Sequence, residues 1–289
     1  MAKDTFFCPN RTLNCQGKLV RLSPPLVMGI INLTPDSFYE GSRYSSPLKA
    51  VEKAAGMLKE GAGMLDLGAA STRPGAGPIK PEEEKKRLLP ALQAILREFP
   101  DALVSVDTYH AETARASVGE GAGIINDISA GSMDPAMART VAGLGVPYVL
   151  MHMQGTPATM QDNPRYTHLI REITGFFDHH IARLLDLGVH DIILDPGFGF
   201  GKTVEHNYEL LAGMDFFHLF ERPLMVGLSR KSMVTRVLGV PPGDALNGTT
   251  VLHAVALMKG AAILRVHDVR EAVEAVKIVQ AFQNVRQLD

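Results

Sequence analysis

The chain has 289 residues, 46% of them hydrophobic and 21% charged, the make-up of an ordinary globular protein with room for a large core. Its net charge of −2 gives no general electrostatic footprint for nucleic acid. No apolar run reaches the ~20 residues that a membrane-spanning helix needs, and the two cysteines, Cys8 and Cys15, are too few for a disulfide framework and lack metal-site spacing. No basic stretch followed by an apolar segment opens the chain, so the expectation is a cytoplasmic protein with reduced thiols. No Gly/Ser-rich or Pro-rich linker divides it, which argues for one domain.

In chain order, Leu13-Asn14-Cys15 and Leu19-Val20-Arg21 flank Gly17 and predict a short β-hairpin, an N-terminal extension over residues 1–25. From residue 26 to 289 a single phrase recurs eight times, a short apolar run ending on a polar or charged residue. The runs end at Asn32, at Asp66 with Gly68, and at Asp107, Asn126, His152, Asp195, Ser229 and Arg265 with His267. Continuous apolar runs suit parallel strands buried on both faces. Eight of them separated by helices predict an α/β (β/α)8 TIM barrel, whose N-terminal mouth the hairpin could cover. In that fold the active site lies at the C-terminal strand ends, so the polar endings outline it.

The intervening helices are legible. Val51, Ala54, Ala55 and Leu58 share one helix face. Pro81 suits a first helical position, with Glu82 to Glu84 in the first turn and Leu88, Leu89, Leu92, Ile95, Leu96 and Phe99 facing inward. The charge run from Glu82 to Lys86 is expected to be a solvated face. A long helix after His168 should bury Ile170, Ile173, Phe177, Ile181, Leu184 and Leu185. The last helix opens with Asp268 and Glu271 at capping-box spacing. Gly61, Gly121, Gly145, Gly188 and Gly260 are placed to end helices. His179, His180 and His218 fall on helices and are expected to be surface or packing residues.

The loops after Asn32 and Gly68 are long and rich in Gly, Pro and Ser, as functional barrel loops are. The second carries Thr72 and Arg73. The stretch from Asp195 to Thr203 fails the count for a phosphate loop and lacks dinucleotide spacing. It is expected to be a flexible strand-end loop that frees Asp195 and presents Phe198 or Phe200 as a wall. Asp107 or Asp195 alone could cap the next helix. Together with Asn126 and Lys231 they match the edge of a heterocycle with an amino-amide face, such as a pterin or guanine-like ring. Arg265 and His267 alternate and make an anion site, to which Arg73 could add a third positive group. Ser229 to Ser232 start a helix whose N–H groups favour a carboxylate or phosphate. A zinc site is not indicated, but a hard cation held loosely by oxygens, such as Mg²⁺ on phosphates, fits Asn32.

Met28 to Phe38, Ser71 to Ala76, Ser105 to Thr108, Ile125 to Asp127, Met151 to Gly155, Asp195 to Lys202, Ser229 to Ser232 and Arg265 to Val269 closely resemble the dihydropteroate synthase family, in order, from about residue 26 to the end. The resemblance implies a barrel, usually a homodimer, that is a transferase of folate biosynthesis. It implies condensation of (7,8-dihydropterin-6-yl)methyl diphosphate with 4-aminobenzoate, releasing pyrophosphate by an SN1-like path. It implies a pterin site of Asp107, Asn126, Asp195 and Lys231, lined by Met151. Asn32 would bind Mg²⁺ on the diphosphate, and Arg265, His267 and Arg73 would hold the diphosphate itself. Thr72, Pro74, Phe200, Lys231 and Ser232 would frame 4-aminobenzoate, where sulfonamides compete, and Asp36 would sit on a loop that closes over the site. Asp107, Arg265, His267 and Asp36 are the catalytic candidates. The chain departs from the family in reading Gly68-Ala69-Ala70, without a polar residue before Ser71, which bears on the resting position of that loop. Two alternatives are a catalytically silent pterin-binding paralogue and a methyltetrahydrofolate corrinoid methyltransferase. The second would not need the Thr72-Arg73 loop or the Arg265/His267 pair. Asp66 is expected to be structural, and His152 to matter less than Met151.

Overall fold

A computed structural model describes residues 12–33, 45–70 and 79–285 of the chain. Cys8, Asp36, Thr72, Arg73 and Pro74 lie outside the described residues. A hairpin of β1 (Thr12–Cys15) and β2 (Lys18–Arg21) comes first, antiparallel, with Thr12 opposite Arg21. Eight parallel strands then close into a barrel. They are β3 (Leu26–Asn32), β4 (Met64–Gly68), β5 (Val104–Asp107), β6 (Ile124–Asp127), β7 (Tyr148–Met151), β8 (Ile192–Asp195), β9 (Leu224–Val226) and β10 (Ala261–Val266). The ring closes where β10 pairs with β3. The TIM barrel with an N-terminal hairpin expected from the sequence is therefore the fold.

The apolar runs hide a period of two. Val27, Ile31, Leu65, Leu67, Val104, Val106, Ile125, Leu150, Ile192 and Leu194 join the core shared with the outer helices. The alternate residues Met28, Met64, Ile124, Val149, Ile193, Met225 and Ile263 point into the barrel, where they form a separate cluster with Leu13, Cys15 and Leu22 of the hairpin region. The hairpin thus plugs the N-terminal mouth. Full burial of a leucine is worth about 1.5–3 kcal/mol, and Leu13 and Leu22 are both buried there. Cys15 is buried beside them, and burial, with Asp191 nearby, pushes its thiol up to about 12. Such a thiol is structural and stays protonated.

The outer layer holds α1 (Ser45–Glu60), α2 (Pro81–Glu98), α3 (Ala111–Gly119), α4 (Met137–Leu144), α5 (Leu169–Asp186), α6 (Val204–Ala212), α7 (Ser232–Leu238), α8 (Leu246–Met258) and α9 (Val269–Val285). Pro81 stands in the first turn of α2, where its missing N–H costs nothing. The five glycines expected to end helices all have positive φ, from 64° at Gly145 to 105° at Gly121. His180 packs on the Phe176 ring at 4.3 Å between centroids, and His218 bonds the Lys259 carbonyl at 2.9 Å, so both are packing histidines.

Four expectations are corrected. β9 stops at Val226, so Ser229 lies beyond the strand. Glu84 is fully buried and accepts a bond from Thr108 Oγ1 at 2.8 Å, so it departs from the solvated face of its neighbours. Leu185 is exposed, because Leu184 and Ile181 complete the inner stripe of α5. The Asp268 carboxylate does not close a capping box with Glu271. Arg230 takes both its oxygens, through Nε at 2.9 Å and Nη2 at 2.8 Å.

Candidate active site

Because side chains alternate along a strand, only one register of each barrel strand reaches the inner cavity. That register carries Met28, Met64, Ile124, Val149 and Ile193 near the hairpin. Two residues further along each strand, or four, it carries Asn32, Asp66, Gly68, Asp107, Asn126, Met151, Asp195 and Arg265. The polar residues therefore converge at the C-terminal mouth. Gly68 stands in register between Asn32 and Asp107, and with no side chain it leaves space beside both. Asn32 is half-buried, and its carboxamide makes no hydrogen bond among the described residues.

The centre of the mouth is an ion-pair network. Arg265 donates from Nε to Asp66 Oδ2 at 2.6 Å and from Nη2 to Asp107 Oδ2 at 2.7 Å. Asn126 Nδ2 donates to the same Asp66 oxygen at 3.1 Å. Arg265 Nη1 has no partner among the described residues and is the nitrogen left for an anion. Burial pushes the Asp107 carboxyl up to about 7, against the opposing pull of Arg265 and with the help of Asp66, Glu84 and Asp127. His267 lies just past β10, its Nδ1 3.2 Å from Ser229 Oγ. Partial burial, and then the guanidinium of Arg265, push its imidazole down to about 4, so it is neutral near pH 7. The expected anion site is centred, among the described residues, on the Arg265 guanidinium, with a neutral imidazole beside it.

The other wall comes from β8 and the loop after it. The Asp195 carboxylate is buried, which raises its pKa, while Lys231 and the Gly197 N–H at 2.8 Å hold it down. Lys231 bonds the Phe198 carbonyl and lies 4.7 Å over the Phe200 ring. Burial pushes Lys231 down to about 8, opposed by Asp195. Ser232 is exposed and opens α7 directly after it. Arg230 does not join an anion site there, because Asp268 and the carbonyls of Pro242 and Gly243 occupy it.

The loop from Pro196 to Gly201 is pinned rather than loose. Lys202, buried at 3% exposure, donates to the Gly197 carbonyl at 3.0 Å and the Phe200 carbonyl at 3.1 Å, and meets His152 Nδ1 at 3.0 Å. Burial, then Lys202, push His152 down to about 3, so it serves as a neutral acceptor. Burial pushes Lys202 down to about 7. Glycine is required at two points. A Cβ on Gly197 would meet the His152 carbonyl oxygen at 1.8 Å, and one on Gly201 the Gln154 oxygen at 2.5 Å, both at positive φ. Phe198 turns into the main core and is fully buried, leaving Phe200 as the wall. Phe200 packs with Met133, Met153 and Ala70 around Tyr109, Ile128 and Met151, an apolar patch beside the polar cluster. Ala70 thus makes an apolar contact at the mouth where the family resemblance suggested a polar residue.

Asp107, Asn126, Met151, Asp195, Lys231, Phe200 and Arg265 are brought to one mouth, with Asn32, His267 and Ser232 on its rim. Three buried groups have roles that the sequence reading misses. Asp66, expected to be structural, accepts from both Arg265 and Asn126, as a carboxylate in the inward register of a buried strand demands partners. Lys202 stands out in the sequence only as part of a glycine-rich motif. Asp127 faces outward, where it accepts from Tyr148 Oη at 2.7 Å, from Ser129 Oγ at 2.7 Å and from the Gly131 N–H at 2.8 Å, so it shapes the loop after β6.

The arrangement can bind a flat ring with donor and acceptor edges against an apolar wall, next to an anion. Comparison with known proteins agrees. A family model described as pterin binding enzyme matches residues 28–267. The dihydropteroate synthase of Escherichia coli (strain K12) is 45% identical over 95% of this chain and 98% of its own length. That of Haemophilus influenzae is 39% identical over 94% and 99%. The Yersinia pestis dihydropteroate synthase, crystallised as a sulfonamide drug complex, superposes with a TM-score of 0.89 at 45% identity, covering 94% of this chain and 99% of that one. The Xanthomonas albilineans dihydropteroate synthase with 4-aminobenzoic acid gives 0.88 at 38% identity, covering 94% and 98%. The chain belongs to the pterin-binding enzyme family, as a dihydropteroate synthase, a transferase of folate biosynthesis.

Proposed function

We propose that this barrel mouth joins (7,8-dihydropterin-6-yl)methyl diphosphate to 4-aminobenzoate, with the pterin on Asp107, Asn126, Asp195 and Lys231. The observation that carries the reading is the convergence of Asp107, Asn126, Asp195 and Arg265 in one inward register, with Lys231 reaching the same mouth from the start of α7, beside the apolar patch of Met151 and Phe200. Asp195 and Asp107 would accept ring N–H groups, and Lys231 would lie near a ring acceptor. Met151 and Phe200 would cover the ring faces. Arg265, through Nη1, would hold the diphosphate. His267 would donate to it as a neutral imidazole, and Arg73 would assist from its loop.

The step is a displacement at the methylene carbon. The carbon–oxygen bond to diphosphate breaks first, its electron pair leaving on oxygen, and the pterin ring carries the developing cation. The ionised Asp107 would stabilise that charge and Arg265 the departing anion. The aniline nitrogen then forms the new carbon–nitrogen bond and loses a proton to solvent. Thr72, Pro74, Phe200 and Ser232 would frame 4-aminobenzoate, with its carboxylate near the start of α7, and sulfonamides would compete there. Asp36 would act from the first loop.

Asn32 fits a Mg²⁺ carried on the diphosphate. It offers an amide oxygen at the mouth that is unengaged among the described residues, and Mg²⁺ takes few protein oxygens when phosphates and waters complete its shell. When bound, the ion would neutralise charge on the leaving group. Among the described residues no helix is long and apolar enough to cross a membrane, and a cytoplasmic setting suits the buried, unpaired Cys15. A homodimer suits α8, whose Val251, Val255 and Met258 are exposed on the face opposite its buried Leu252, Ala256 and Leu257. Val237 and Leu238 on α7 and Ile278 on α9 are also exposed. An outer layer this apolar is suited to cover by a second copy.

The test is pyrophosphate release from the purified protein. Release should require the pterin diphosphate, 4-aminobenzoate and Mg²⁺ together. No release with all three would favour the silent paralogue.

A further inference from the structure

Asp66 lies at the middle of β4, with its side chain fully buried in the barrel interior. A lone carboxylate there is costly unless it is paired and hydrogen-bonded. Its Oδ2 accepts from two groups assigned to substrate: Arg265 Nε at 2.6 Å and Asn126 Nδ2 at 3.1 Å. Its other oxygen is buried without a partner among the described residues. Asp66 therefore sits beneath the mouth and cannot touch a ligand itself. Its two bonds have a directional consequence. With Nδ2 turned down to a carboxylate, the Asn126 amide must present its oxygen upward. With Nε on Asp66 and Nη2 on Asp107, the guanidinium plane is fixed at two points, and Nη1 is left without a partner among the described residues.

We propose that Asp66 is a positioning residue for the diphosphate-bearing substrate, setting both the Asn126 amide and the Arg265 guanidinium from below. The proposal rests on the pterin and diphosphate roles assigned above. It follows that Asp66 acts on one substrate only. No described residue framing the 4-aminobenzoate site bonds to it; Lys231 and Phe200 are held from the opposite side, by Phe198 and the Lys202 loop.

Steady-state kinetics on two variants tests this. Asp66→Ala removes both acceptors and should raise KM for the pterin diphosphate at least tenfold, with KM for 4-aminobenzoate within twofold of wild type. Asp66→Asn keeps an oxygen that can accept both bonds without the charge, so it should rescue part of the loss, with a rise of about threefold. Should Asp66→Ala fail to fold, the KM split in Asp66→Asn decides alone. Equal changes in the two KM values, or none, would overturn the proposal. A wild-type enzyme without turnover would instead overturn the functional reading beneath it.

Discussion

Replacing Arg265 with alanine tests the network at the mouth through both stability and pH. Arg265 bridges Asp66 and Asp107 at 2.6 and 2.7 Å, with side-chain exposures of 19%, 0% and 11% for the three groups. Removing one partner from a buried pair costs about 3–5 kcal/mol. The partial exposure of Arg265 places the expected loss near the lower figure, about 3 kcal/mol. At roughly 2–4 °C per kcal/mol for a large single domain, Tm should fall by about 6–12 °C.

The pH dependence sharpens the test. Asp107 is raised from 3.8 to about 7, so between those values the folded protein holds more protons than the unfolded chain. Stability falls as pH climbs through that window and levels off above it. Without Arg265 the cation that lowers Asp107 is gone, its pKa rises further, and the variant goes on losing stability past pH 7. Thermal melts followed by circular dichroism should therefore show a wider Tm gap between wild type and Arg265→Ala at pH ~8 than at pH ~5. An equal gap at both, or none, would refute the coupling of Arg265 to Asp107. The same coupling implies that Arg265→Ala impairs pterin binding as well as diphosphate binding.

Two further substitutions address the loop after β8. Lys202→Met leaves the Phe200 carbonyl and His152 Nδ1 without the ammonium donor, at ~1–3 kcal/mol each, partly offset by not burying an ammonium, while the Gly197 carbonyl keeps the Phe200 N–H at 3.1 Å. It should lower Tm and raise KM for 4-aminobenzoate several-fold more than KM for the pterin diphosphate; an unchanged ratio would contradict the loop's role in presenting Phe200. Gly197→Ala sets a Cβ 1.8 Å from a backbone carbonyl oxygen at a φ of 72°, and should lower Tm by ~10 °C or more in a thermal melt.

The fold is legible in the sequence because eight buried strands and their helices repeat the same two signals, an apolar run and an amphipathic stripe. The ends of those runs locate the mouth. What they do not distinguish is the direction each ending faces. His152 ends a run as plainly as Asp195 does, and Asp127 directly follows the ending at Asn126, yet Asp127 faces out to shape a loop and His152 turns to Lys202. Counting back by twos from Asn126 or Gly68 separates them, and the same count finds Asp66. Lys202 is harder to see. Its role depends on carbonyls that only the folded loop brings to one ammonium, and its glycines resemble a flexible segment until their close approach to His152 and Gln154 is known. The protonation of His267 is likewise invisible in the sequence, since it is set by burial and by a neighbour's charge.

The central claim is that the inward-facing carboxylates of this mouth hold the pterin, and Asp195 tests it most directly. Calorimetric titration with the pterin diphosphate should show binding to wild type and none to Asp195→Ala. Retained affinity in the variant would contradict the account.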